Sequence, residues 1–153
     1  MSVTVEFMNV SGESEVPMQE DFQGWSNAVL HAMDCSDQAL ELGIRLVNEA
    51  ESAELNQTFR HHQGSTNVLS FSYDDIPGDA EQAMLGDLVI CSQVVIREAR
   101  EQEKSVQAHW AHMTVHGILH LLGHDHQHDA EAEIMENLES VILARLGYAN
   151  PYL

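Results

Sequence analysis

Positive charge is what this sequence has least of. Lys and Arg number 6 against 25 Asp and Glu, a formal net charge of −19 with histidine neutral. A protein gripping nucleic acid through many phosphate contacts would show a basic stripe. The six cations, Arg45, Arg60, Arg97, Arg100, Lys104 and Arg145, are scattered along the chain. Any nucleic-acid role must therefore rest on a local site, a metal or a partner, and DNA is not an expected partner. Cysteine is scarce too: Cys35 and Cys91 lie far apart with no C-x-x-C pairing, which reads as two reduced core thiols. No apolar run approaches the ~20 residues of a membrane span. The N-terminal Met-Ser-Val-Thr-Val-Glu has no basic region leading into an apolar stretch, so no signal peptide is read there and a cytoplasmic location is expected. With 153 residues, 44% of them hydrophobic, the chain suits one domain over 1–153 whose core buries roughly 70% of the unfolded surface.

Hydrophobic periodicity divides the chain into strands and helices. Val3, Val5 and Phe7 alternate with polar neighbours over 2–10, as a half-buried strand does. Pro17 can start a helix, and over 18–33 Met18, Phe22, Trp25, Val29 and Met33 recur every three or four residues. Alternation returns at 38–47, and 48–60 has an Asn cap and strong helix formers. A third strand is predicted at 66–73, a turn-rich loop at 74–86, and a central strand at 86–92 because Leu88 to Cys91 are apolar on both faces. Helices follow at 93–103, at about 105–122 ended by Gly123, and at about 128–146 ended by Gly147. The expected architecture is α+β: one compact domain with a four-stranded mixed sheet, about five helices and a metzincin-like metal-binding helix.

Histidine is what the chain has in excess. Seven of its ten histidines fall within the twenty residues from His109 to His128. Residues 116–126 read HGILHLLGHDH, an H-x-x-x-H-x-x-G-x-x-H pattern. Two histidines four apart on a helix share one face, so both imidazoles can reach one ion at the ~2.0–2.1 Å that zinc requires. Gly123 can take positive φ, end the helix and let the chain bring His126 in as a third ligand. Three His ligands leave one coordination position open, as in a catalytic zinc site. A closed structural site would need a fourth ligand, for which His124, Asp125 and His128 are at hand. His109 and His112 continue the face of His116, as ligand-supporting partners or, more simply, as solvated helix positions. His31, His61 and His62 fit no pattern. Because zinc needs neutral imidazoles, metal affinity and activity are expected to fall as pH drops through ~6.5. The spacing is shared with metzincin proteases, but the glutamate that would be their general base is Gly117 here, which argues against peptide hydrolysis.

Four blocks together resemble the YbeY-type rRNA maturation endoribonucleases: LNQTFR at 55–60, TNVLSF at 66–71, LGDLVI at 85–90 and HGILHLLGHDH at 116–126. The similarity runs over roughly residues 40–146. Two positions depart from the family pattern: His124, where an aromatic residue is common, and Asn67, where Asp usually follows the Thr. Thr66 and Asn67 can still hydrogen-bond, without the charge. The resemblance implies one zinc ion per chain, with His116, His120 and His126 as ligands. It also implies a single-strand-specific endoribonuclease acting on the 3′ end of 16S rRNA and in late ribosome quality control. The family's arginine falls on Arg60, the expected catalytic residue, and a guanidinium near a metal is well suited to fork onto a phosphate. Otherwise Arg60 would be a surface residue paired with Glu51 or Glu54.

The expected chemistry is metal-assisted phosphodiester hydrolysis with Arg60 offsetting charge on the phosphorane. The alternative is transesterification through the 2′-hydroxyl. No side chain stands out as general base, and Asp125 and the zinc-bound water are the candidates. A different class of function is an assembly factor whose acidic surface docks ribosomal proteins or an assembly GTPase. A zinc metalloprotease is the minor alternative.

Overall fold

The computed structural model describes residues 3–35, 39–72, 83–124 and 128–152. Strands β1 (Thr4–Asn9), β2 (Leu40–Val47), β3 (Val68–Ser72) and β4 (Ala83–Cys91) form one sheet in the order β1-β2-β4-β3. β1 and β4 both run parallel to β2, whereas β3 is antiparallel to β4, so the sheet is mixed. β4 lies inside the sheet, as a strand apolar on both faces requires. Leu88 and Ile90 enter the main core, while Val89 and Cys91 join a smaller cluster with Val47, Leu69 and Val94 on the other face.

Five helices complete the α+β fold: α1 (Gln19–Ala32), α2 (Glu49–Arg60), α3 (Ser92–Glu101), α4 (Val106–Leu121) and α5 (Asp129–Arg145). Local chemistry sets their ends. The side chains of Asn48 and Ser105 accept from the backbone N–H of Glu51 and Ala108, capping α2 and α4. Met18 caps α1, so Pro17 stands just ahead of the cap and not at the first helical position.

One element departs from the periodicity. β4 begins at Ala83, inside the stretch 74–86 expected as a loop, because Leu40 and Glu41 of β2 pair with Ala83 and Met84. The register then shifts at Leu42, which pairs with Gly86. Gly86 has φ +148°, and a Cβ there would lie 2.4 Å from the Phe71 carbonyl oxygen. This is the close backbone approach for which a bulge recruits glycine.

α4 is the axis of the molecule. It packs against α1, α3 and α5 and crosses β3 and β4. Trp110, Ala111, Val115, Ile118 and Leu119 are at most 1% exposed, and Trp110 meets Phe22 of α1 edge-on at 6.0 Å. α2 lies over the opposite face of the sheet, with Leu55 on the smaller cluster. That placement carries its C-terminal Arg60 to the edge strand β3. Both cysteines are free thiols, and burial raises the pKa of Cys91 above its ordinary value. No helix among the described residues is long and apolar enough to cross a membrane.

Candidate active site

The helical period puts His109, His112, His116 and His120 in a row along α4, with successive ring centroids 6.0, 6.3 and 4.7 Å apart. The row passes from the interior into a cleft. His109 and His112 are buried, whereas His116 and His120 line a cavity of about 450 Å³. Arg60 of α2, His62, Thr66 and Asn67 of the following loop, and Ser70 of β3 line the same cavity. The structure therefore brings together three of the four expected site residues, Arg60, His116 and His120. His126 and the candidate base Asp125 lie outside the described residues. Among the described residues no group of three or more His, Cys, Asp or Glu could hold a metal ion. They contribute the pair His116 and His120 at the end of α4. Gly123, at φ +99°, turns the chain just after that pair, as a third ligand from beyond the helix would require.

Arg60 ends α2 and is solvent-exposed. One guanidinium nitrogen donates to the Ser70 carbonyl at 2.6 Å, and another donates to the Phe59 carbonyl. The guanidinium carbon lies 5.0 Å from the centre of the Phe71 ring. Stacking on an aromatic face restrains the side chain without using its N–H fork. The alternative ion pair with Glu51 does not form, because Glu51 is bound to Arg45 at 2.8 Å. Among the described residues Arg60 has no carboxylate partner. His62, which fits no sequence pattern, is brought into the cleft by the loop that leaves α2.

The histidines expected to be solvated are the most buried of the row. His109 is 2% exposed because α3 packs over it, and its Nε2 meets a Glu98 carboxylate oxygen at 2.9 Å. Asn67 donates from Nδ2 to the same carboxylate, at 3.2 and 3.3 Å to its two oxygens, while its Oδ1 accepts from the Val68 N–H. The hydrogen bond from His109, assisted by Asn67 against the cost of burial, holds Glu98 below the usual carboxylate range. Asn67 thus offers Glu98 a donor, where an Asp would bring a second carboxylate.

Glu139 of α5 is the residue that periodicity missed. It is fully buried, amid Met135, Ile142 and Leu143. One carboxylate oxygen accepts from His116 Nδ1 and the other from the Tyr152 hydroxyl. His112 Nε2 lies 3.3 Å from that hydroxyl and 3.7 Å from the carboxylate. Burial pushes the Glu139 carboxyl up, and the nearby His112 together with the hydrogen bonds from His116 and Tyr152 more than reverses this, holding it at about 2. Tyr152 is raised above its ordinary value, by burial and then by Glu139, so it stays a hydroxyl donor. His112 is lowered, chiefly by burial, and is neutral. One signal was available in sequence: a glutamate at 139 interrupts the apolar stripe of Met135, Leu138, Ile142 and Leu143.

Gly117 answers the protease alternative. A Cβ there would lie 2.7 Å from Leu88 Cδ2 and 3.3 Å from Val68 Cγ2, so this position is pressed onto the sheet. Its carbonyl accepts from Ser70 Oγ at 3.1 Å. A metzincin glutamate has no room at this place in α4.

The sequence profile of the family described as "Endoribonuclease YbeY" matches residues 6–147. A curated protein described as Endoribonuclease YbeY, from Nitrosococcus oceani, is 49% identical over 154 aligned residues, covering 99% of this chain and 98% of its own length. The solution structure of TM1509 from Thermotoga maritima superposes with a TM-score of 0.58 at 20% identity, over 95% of this chain and 91% of its own, a likeness of fold.

Proposed function

The chain belongs to the YbeY endoribonuclease family, and from that premise we propose that it is a zinc-dependent, single-strand-specific endoribonuclease of the cytoplasm. Its substrate is the 3′ end of 16S rRNA in the small ribosomal subunit, and its setting is late ribosome quality control. What supports this most is one cleft lined by an i, i+4 histidine pair and by an arginine anchored on the facing strand. In a chain of net charge −19, a phosphate would be held by such a local site and not by bulk attraction.

The donor set fits a zinc ion. His116 donates from Nδ1 to Glu139, which fixes the tautomer and leaves Nε2 as the ligating atom. His116 and His120 would hold the ion together with His126. Bound there, zinc supplies a Lewis acid for a phosphate oxygen and lowers the pKa of a coordinated water towards ~7. Arg60 binds the scissile phosphate and offsets the charge that develops on it, exchanging the Ser70 carbonyl for a stronger, charge-assisted contact. The acidic surface supports a second component of the same role, the docking of basic ribosomal proteins or of an assembly GTPase.

The test is incubation of the purified protein with a short RNA spanning the 3′ end of small-subunit rRNA, single-stranded or annealed to a complement. We expect cutting of the single strand only, leaving a 5′-phosphate and a free 3′-hydroxyl. A 2′,3′-cyclic phosphate would mean attack by the 2′-hydroxyl, and equal cutting of the duplex would contradict strand selectivity. Arg60→Ala is expected to lower cleavage about 10²-fold, the scale of losing one transition-state donor, with bound zinc unchanged. An Arg60→Ala protein of wild-type activity would remove that residue from the chemistry.

A further inference from the structure

Glu139 presents an energetic problem that its neighbours do not solve by charge. Its carboxyl group has no exposed surface. Among the described residues neither Lys nor Arg pairs with it, and its bonded partners are His116 and Tyr152. A buried anion is costly unless it is hydrogen-bonded and its charge is matched. Hydrogen bonds satisfy both oxygens. A cation bound to the far nitrogen of the His116 ring would match the charge.

The donors on either side of Glu139 converge on its carboxylate. Neutral His112 can donate from Nε2 to the Tyr152 oxygen at 3.3 Å, the Tyr152 hydroxyl donates to one carboxylate oxygen, and His116 Nδ1 donates to the other. Tyr152 stands outside every helix and strand, yet its place is fixed. Asn150 Oδ1 accepts from the Tyr152 N–H at 2.9 Å and from Ser140 Oγ at 3.1 Å, which ties the C-terminal segment back onto α5. The Tyr152 ring meets the His112 ring edge-on at 5.5 Å.

We propose that Glu139 and Tyr152 are positioning residues for the metal centre. In this arrangement Glu139 orients and polarises His116 as a ligand, and the C-terminal segment locks Glu139 through the Tyr152 hydroxyl. The inference rests on the zinc centre proposed above and names the residues, remote in sequence from the histidine motif, that set its affinity. Outer partners of a metal ligand act this way because they fix the ring and raise its basicity, and their loss typically costs 10- to 100-fold in metal affinity.

The experiment is zinc affinity by competition with a chromophoric chelator, on the full chain of the wild type, His116→Ala, Glu139→Gln and Tyr152→Phe. Melting of each metal-free protein is recorded alongside. Glu139→Gln keeps the shape and an acceptor for His116 but loses the charge, and we expect zinc to bind about 10- to 100-fold more weakly. Tyr152→Phe keeps the ring and removes only the hydroxyl that donates to Glu139. We expect a loss of about 10-fold, the lower end of that range, with a metal-free melting temperature close to wild type. A purely structural role would lower metal-free melting and leave affinity intact. If His116→Ala abolishes zinc binding while Glu139→Gln and Tyr152→Phe bind as the wild type does, the positioning role is overturned and the zinc centre stands. If His116→Ala binds zinc as well as the wild type, the zinc centre itself falls, and this inference with it.

Discussion

Replacing His120 with alanine is expected to reduce RNA cleavage by at least about 10³-fold while leaving the protein folded. The two halves of this expectation have separate physical sources. His120 lies in the last turn of α4 and lines the cleft, so its imidazole borders open space and not the core. Truncating it leaves no sealed cavity, and a stability change within about 1 kcal/mol is the usual outcome at such a position. The loss of activity follows from the ligand set. A centre left with two histidines holds its ion weakly, and removing metal catalysis forfeits several kcal/mol of transition-state stabilisation, each ~1.4 kcal/mol of which is a factor of ten. The measurement is single-turnover cleavage of the 16S 3′-end fragment by wild-type and variant proteins purified identically, with urea melts of both. A variant that cuts at the wild-type rate would show that the observed cleavage does not pass through this site.

The second large effect is on stability. Gly117→Glu, which restores the letter of the metzincin motif, is expected to destabilise the protein by about 4 kcal/mol or more and to create no protease. Position 117 faces Leu88 and Val68, which leave no room even for a methyl group without movement. Overpacking of this kind costs typically ~1–3 kcal/mol, and a carboxylate buried without a partner adds several more. Against a stability of roughly 5–15 kcal/mol for a domain of ordinary size, the variant should lie at the edge of folding at 25 °C. A urea midpoint equal to wild type would show that α4 does not rest on the sheet as described, and peptide hydrolysis by the variant would reopen the protease alternative.

These two positions also show what the sequence could and could not reveal. The pair His116 and His120 was legible because helical spacing alone places them on one face, and Gly123 was legible because only the end of α4 needs its positive φ. β4 was legible as a central strand from its unbroken apolar run. Its first residues were not, since Ala83 to Leu85 owe their strand conformation to pairing with β2 across a bulge. Burial of His109 depends on α3 folding over it with Glu98 in reach, a tertiary event that leaves the local pattern of α4 unchanged. Glu139 was hidden among 25 acidic residues. Only its place in the apolar stripe of α5 set it apart, and its partners His116 and Tyr152 lie 23 and 13 residues away in the chain. Arg60 was singled out by the block LNQTFR, whereas its stacking on Phe71 and its anchor on Ser70 follow from α2 lying against the edge strand. The third expected ligand, His126, lies outside the described residues.

The most direct test is to strip the purified protein of metal with a strong chelator and titrate zinc back while measuring cleavage of the single-stranded 16S 3′-end RNA. A zinc-centred nuclease should be inactive when stripped, and its activity should rise linearly with added zinc and level off at one ion per chain. The same titration of His116→Ala should recover nothing. Full activity in the stripped wild type, or cleavage indifferent to added zinc, would contradict a metal-centred nuclease built on the histidines of α4.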